Sequence, residues 1–294
     1  MSELLTTWTF APLPTLLAVA AGVVYLAGVR RRHRRGGVWQ WWRTLLVVGI
    51  GLPMVVLTVS WWPGARSHQL FSAYMTQLVV LALVVPAILV LGAPVRLGRR
   101  ALEGSPSGAR WSAVFDSRVT RFLSHPLFTP LLLLALPCVV VFTPVMLTTL
   151  QNAAAYSAMQ VLLVVFGLVA VLGFIDDQVP DSGVPHAAAA FVAFFELILD
   201  AIPGIILFFT TALFAGGWYA VHGDPGGVEW AQSDQRAAGA ILWAVGEAID
   251  LPFLIAIVVL WMRADAEEAR RQDALLDAQE EAARRAREFL ADDA

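Results

Sequence analysis

The sequence predicts an all-α integral membrane protein: seven transmembrane helices, N-terminus outside, C-terminus cytoplasmic, with a charged C-terminal helix. Three observations carry that expectation. The chain is 58% hydrophobic and 15% charged, with a mean hydropathy of +0.69 and a net charge of -3. That balance excludes an ordinary soluble domain and gives no basic face for nucleic acid. Seven apolar runs approach the ~20 residues that a spanning helix needs. The basic residues, all arginine, fall in alternate connections, as the positive-inside rule requires.

Taken in order, Ala11 to Val29 opens the series and lacks the positive flank of a signal peptide, so it is expected to be a retained span. Thr44 to Trp62, Leu70 to Gly92, Leu127 to Leu147, Ala153 to Ile175, Ala187 to Ala215 and Ala237 to Met262 follow. Polar, charged or Pro/Gly-bearing residues separate them. Backbone groups in lipid must be satisfied within their own segment, so these runs are expected to be helices.

Orientation follows from arginine. The first connection holds Arg30, Arg31, Arg32, Arg34, Arg35 and Arg43, the third holds Arg96, Arg99, Arg100, Arg110, Arg118 and Arg121, and the tail carries six more. Only Arg66 and Arg236 lie in connections of the other parity. The acidic connection Asp176 to His186, expected inside, has no arginine and adds no support. Trp39, Trp41, Trp42, Trp61, Trp62, Trp218 and Trp261 sit near predicted span ends, as an interfacial belt does. Residues 1–262 are therefore expected to form one transmembrane domain, and 263–294 a cytoplasmic helical tail. In that tail Glu267 with Arg271 and Glu280 with Arg284 have supportive i,i+4 spacing.

Motifs of soluble catalysis are absent. There is no GxxxxGK[ST] loop, GxSxG elbow, HExxH, CxxC or dinucleotide fingerprint, and the chain is not expected to be an enzyme. The lone Cys138 cannot form an intramolecular disulfide. None of His33, His68, His125, His186 and His222 pairs with another at i+3 or i+4, so no helical two-histidine metal site can be read. His68 and His222 are both expected outside.

Four acids stand inside predicted spans: Glu196 and Asp200 before Pro203, Glu247 and Asp250 before Pro252. A charge at mid-bilayer costs about 2.5–3.5 kcal/mol on insertion scales, so such groups face a bundle interior. If the two helices run antiparallel, Asp200 and Glu247 lie at similar depth and the acids form one buried layer. Glu196 and Asp250 read as hydrogen-bond partners of carbonyls freed by the prolines. For Asp200 and Glu247 that reading stands beside proton or cation handling.

Several longer motifs agree in order and spacing. LFSAYMTQL and VVPAILVLGAP (Leu70 to Pro94), SHP at Ser124 to Pro126, FTP at Phe142 to Pro144, and DQRAAGAILWAVGE (Asp234 to Glu247) leading to WMRADAEEARR resemble the CtaG family of seven-span cytochrome c oxidase assembly factors over essentially the whole chain. The resemblance implies an assembly or accessory factor for a haem–copper cytochrome c oxidase in a bacterial inner membrane. It also implies copper as the associated cofactor, and membrane lipid and oxidase subunits as partners. The family pattern HMxQH meets Tyr74 and Leu78 here, with Met75 and Gln77 kept; HxLMHxH meets Tyr156, Gln160 and Leu162, with Met159 kept; Asp200 stands where a histidine precedes Gly204. Copper prefers imidazole or soft sulfur. The remaining candidates are the thioethers Met75, Met159 and Met146, so the chain is expected to carry little copper and to act through protein contacts. The rival readings are a carboxylate-based proton or cation pathway and a non-catalytic membrane scaffold.

Overall fold

The computed structural model describes residues 8–118, 129–175 and 186–248, with scattered helical positions from 251 to 272. Most of the tail, Asp250, the SHP segment and the Asp176 to Pro185 connection lie outside the described residues. All regular structure among those described is helical.

Helix α1 (Pro12–Arg34) starts on a proline in its first turn and ends on Arg31, Arg32, His33 and Arg34. A proline wastes no donor at a helix start, and cations suit the negative end of the helix dipole. Helix α2 spans Trp41–Arg66 and α3 spans Phe71–Leu91. Each contains a widened π turn, Leu45–Gly51 and Val80–Val84, just ahead of Pro53 and Pro86. A proline removes the donor for the carbonyl four residues back and crowds it; those carbonyls, Gly49 and Ala82, both lie in the widened turns. The short helices α4 (Pro94–Leu102) and α5 (Pro106–Phe115) follow, the second capped by Ser105, whose Oγ accepts from the Gly108 amide at 3.2 Å.

The fourth apolar run, expected as one span, is two helices: α6 (Thr129–Phe142) and α7 (Val145–Gln151), bent by 60°. The break falls on the FTP motif. Pro144 cannot donate there, and Thr143 Oγ1 covers the gap by donating to the Val139 carbonyl at 2.6 Å and accepting from the Val145 amide at 3.3 Å. Asn152 Oδ1 then caps α8 (Ala153–Ile175), accepting from the amides of Ala154 and Ala155 at 2.9 and 3.0 Å. Helix α9 (His186–Phe209) stops six residues short of the end of its apolar run. A 3₁₀ turn (Ala215–Gly217), α10 (Trp218–His222) and a helix over 228–248, α11, complete the described order.

Among the described residues, four helices are long and apolar enough to cross a membrane, or five if the bent pair is one span. Of the four, α3 is the central one, 61% buried against 33% or less for the others. It packs along α8, while α1 lies outside against α2 and α4. Val19, Val23 and Val24 of α1 and Phe191 and Phe209 of α9 stay exposed, an apolar exterior that suits lipid. Trp39, grouped with the interfacial tryptophans by its position, is instead buried and donates to the Tyr25 hydroxyl at 3.1 Å.

Helix α8 crosses α3 at the π turn, and Gly167 makes the crossing possible. A Cβ there would stand 2.1 Å from the Ala82 carbonyl oxygen and 2.5 Å from the Pro86 ring. Small residues let membrane helices approach backbone to backbone. Gly167→Ala is expected to destabilise the detergent-solubilised protein by about 1–3 kcal/mol. An unchanged melting temperature would show that the two helices do not meet there.

Candidate functional site

The first amides of a helix have no partner within it, and at the start of α3 the local chain supplies none: Leu70, at the cap position, has no polar side chain. Asp234, on α11, fills that role from 163 residues away. Its Oδ2 accepts from the Phe71 amide at 2.5 Å and the Ser72 amide at 3.3 Å, and its Oδ1 accepts from Ser72 Oγ at 2.5 Å. Asp234 is only 8% exposed, so the carboxylate and the helix end satisfy each other out of water.

The chain entering α3 is held by α10. Tyr219 stacks on Phe71 with ring centres 5.3 Å apart and donates to the Ser67 carbonyl at 2.8 Å; Trp218 Nε1 donates to the His68 carbonyl at 2.9 Å. Burial, with lesser contributions from Tyr74, Tyr156 and Asp234, pushes the Tyr219 hydroxyl well above its usual range, so it remains a donor.

Behind this entrance lies a buried polar cluster. Tyr156 donates to Gln77 Oε1 at 2.5 Å, and Gln77 Nε2 donates to the Thr58 carbonyl at 3.2 Å. Ser67 Oγ lies 2.5 Å from the Tyr156 hydroxyl and donates to the Gly64 carbonyl at 2.9 Å. Thr149 donates to the Met146 carbonyl at 2.7 Å, which leaves the Tyr74 proton shared between Thr149 Oγ1 and Met159 Sδ, each at 2.9 Å. The two phenol rings are 6.3 Å apart. His68 sets its ring edge-on to Tyr156 at 4.8 Å, and burial lowers its pKa. One turn beyond Tyr156, Gln160 is 1% exposed and its amide lies close enough to the Tyr156 hydroxyl to act on it.

The cluster thus gathers Tyr74, Gln77, Tyr156, Met159 and Gln160, with Met75 and Met146 buried beside it. Leu78 is buried, whereas Leu162 is 63% exposed and faces away. His68 and His222 are linked through Trp218, on which His222 stacks at 3.7 Å. The acids lie elsewhere. Gly204 and Gly239 bring α9 and α11 together: a Cβ on Gly204 would meet the Trp243 amide at 2.9 Å, and one on Gly239 the Phe208 amide at 2.7 Å. Asp200 lies about one turn before Gly204 and Glu247 about two turns after Gly239, both partly buried. Their neighbours differ, since Glu247 accepts from Trp243 Nε1 at 3.2 Å while Asp200 lies within electrostatic range of Cys138 on α6. The Glu196 side chain and Asp250 are outside the described residues. Ser67, Thr58, Thr149 and Tyr219 join the cluster without any local sequence signal.

Chemically the cluster is a neutral donor chain. Ser67 Oγ lies 3.4 Å from His68 Nδ1, and among the described residues no three His, Cys, Asp or Glu side chains come close enough to hold a metal. The cluster's one engaged sulfur, Met159, already accepts a hydrogen bond from Tyr74, and phenol, amide and hydroxyl oxygens are poor partners for copper. The donor set does not fit a copper centre.

Fold and cluster together define a helical membrane protein whose buried site is built for hydrogen bonding. Sequence comparison gives the family: the model of the cytochrome c oxidase caa3 assembly factor (Caa3_CtaG) matches residues 23–264, and the chain belongs to that family. It is 30% identical over 282 residues to uncharacterized proteins of Mycobacterium bovis and Mycobacterium tuberculosis, covering 93% of this chain and 42% of theirs. A third relative, an uncharacterized protein of Mycobacterium leprae, is 32% identical over 91% of this chain and 41% of its own length. The chain thus spans about two-fifths of the length of these relatives. No solved structure matches it.

Asp234→Ala, which strands two amides at the start of α3, is expected to cost about 2–4 kcal/mol of stability. Asp234→Asn should recover part of that loss, and equal melting temperatures for all three proteins would remove the cap from the account. His68 titrates below its unfolded value, so the unfolded chain binds the proton more readily. Stability is therefore full above the ordinary histidine pKa and falls as pH drops through it. His68→Gln should flatten that part of the melting profile between about pH 7 and pH 5.

Proposed function

We propose that this chain is a factor of the bacterial inner membrane that supports cytochrome c oxidase assembly through protein contacts, without itself carrying copper and without catalysing a reaction. The observation that carries this reading is the state of the positions where the family resemblance expects histidine. Tyr74 and Tyr156 use their hydroxyls within the protein, and Met159 is occupied as an acceptor. Such a cluster stiffens the junction of α2, α3 and α8 and offers no ligand set for metal transfer. Family membership supports the assembly role.

The same proposal includes the topology. Seven spans, an external N-terminus and a cytoplasmic tail over 263–294 are supported by eighteen of twenty arginines lying in connections of one parity. The tail, rich in paired Glu and Arg, is the segment offered to oxidase subunits.

Metal analysis of protein purified under reducing conditions should find copper well below one per chain. Stoichiometric Cu(I), lost in Met75→Leu or Met159→Leu, would overturn the contact-only reading. Oxidase subunits should co-purify with the full chain and be lost when residues 263–294 are removed. A reporter after Ala294 should read as cytoplasmic and one near Gly226 as external; the reverse pair would overturn the topology.

A further inference from the structure

At the end of the bundle opposite the Asp234 cap, α1, α4 and α5, with side chains from α2, α3 and α8, line a crevice of about 450 Å³. Tyr25, Gly28, Leu97, Ala101 and Trp111 contribute to its wall, which is almost entirely apolar, and Arg31 stands at its rim. The volume lies in the range of about 300–1,000 Å³ usual for sites that take a small molecule. Its floor reaches the core residues Val47 and Leu89, while Val24 of α1, on its wall, is exposed, so the crevice opens to the apolar exterior of the bundle.

Positive charge concentrates around it. Arg43 lies within electrostatic reach of Tyr25, Arg96 and Arg100. Arg96 and Arg100 share one face of α4, four residues apart, and their neighbours Leu97 and Ala101 line the crevice. Trp39 and Trp42 hold the Arg43 guanidinium over their rings at 5.4 and 5.1 Å, and its Nε is buried without a hydrogen-bond partner. Asp116 pairs with Arg99 at 2.8 Å, and the Glu103 backbone carbonyl accepts from Arg35. Like charges this close repel, and an anion beside them lowers that energy.

We propose that this crevice binds one anionic phospholipid of the bilayer, its acyl chain between α1 and α4 and its phosphate beside Arg31, Arg43 and Arg100. An apolar slot leading to a basic rim at the membrane face complements a lipid with a charged headgroup. A zwitterionic lipid would satisfy the slot without neutralising the rim.

The test uses the full chain in detergent, delipidated and titrated with palmitoyl-oleoyl phosphatidylglycerol or with the phosphatidylcholine of the same chains, bound lipid being counted by native mass spectrometry. One phosphatidylglycerol is expected to bind preferentially, with affinity falling about fivefold for each rim arginine removed. Arg43→Gln with Arg100→Gln should abolish the preference, and the exposed Arg100→Gln alone should reduce it if the double variant folds poorly. Ala27→Trp, which fills the crevice from α1, should block binding of both lipids. Arg30→Gln with Arg34→Gln removes the same charge outside the crevice and should change nothing. Equal binding of the two lipids, no bound lipid, or an equal loss in the Arg30/Arg34 control would overturn the proposal.

Discussion

The architecture depends on one carboxylate meeting one helix end. Helix α3 is the buried axis of the bundle, and its first amides have no local cap because the residue at the cap position is Leu70. Asp234 reaches them from α11, and the groups around it extend the same logic. On that helix Gln235 accepts from the Phe214 amide at 3.1 Å and donates to the Ala212 carbonyl at 2.9 Å, while Gln232 donates to the Thr211 carbonyl at 2.9 Å. Three polar side chains within four residues of α11 thus satisfy the end of α3 and the irregular backbone after α9. Non-helical backbone packed among apolar helices needs such partners, because lipid supplies no hydrogen bonds.

Prolines shape the rest. Pro53, Pro86 and Pro144 each remove one donor from an apolar helix, and the structure answers in two ways. Ahead of Pro53 and Pro86 the turn widens and the helix continues. At Pro144 a threonine takes over the hydrogen bonds and the axis bends by 60°. The widened turn in α3 is also where Gly167 admits the backbone of α8, which joins the two helices that carry Tyr74 and Tyr156. Site and kink are therefore one arrangement.

Hydropathy made the helices legible because burial in lipid demands long apolar runs whatever their neighbours. It located their ends less well. The seventh run starts at Ala237 by hydropathy, whereas the helix starts at 228, since Asp234 and Gln235 are polar by composition yet spend their polarity on backbone. Phe209 ends α9 before the apolar residues run out, because the following turn is held by side chains from α11. At the site, the spacing of Tyr74 with Gln77 and of Tyr156 with Met159 and Gln160 marks one face on each of two helices. That Tyr74 meets Met159, and Tyr156 meets Gln77, depends on the Gly167 crossing, and Ser67, Thr149 and Tyr219 enter only through contacts 75 to 152 residues apart. No local pattern encodes such distances.

The long reach of Asp234 also sets an order in time. Phe71 leaves the ribosome 163 residues before the side chain that caps it, and at about 5–20 residues per second that gap is roughly 8–30 seconds. Throughout it the central helix has an open end. During synthesis the helices before α11 can assemble only around an unfinished axis, and arrival of α11 closes it. A nascent chain stalled before residue 234 would therefore present bare amides at the membrane margin, the kind of signal that membrane quality control removes.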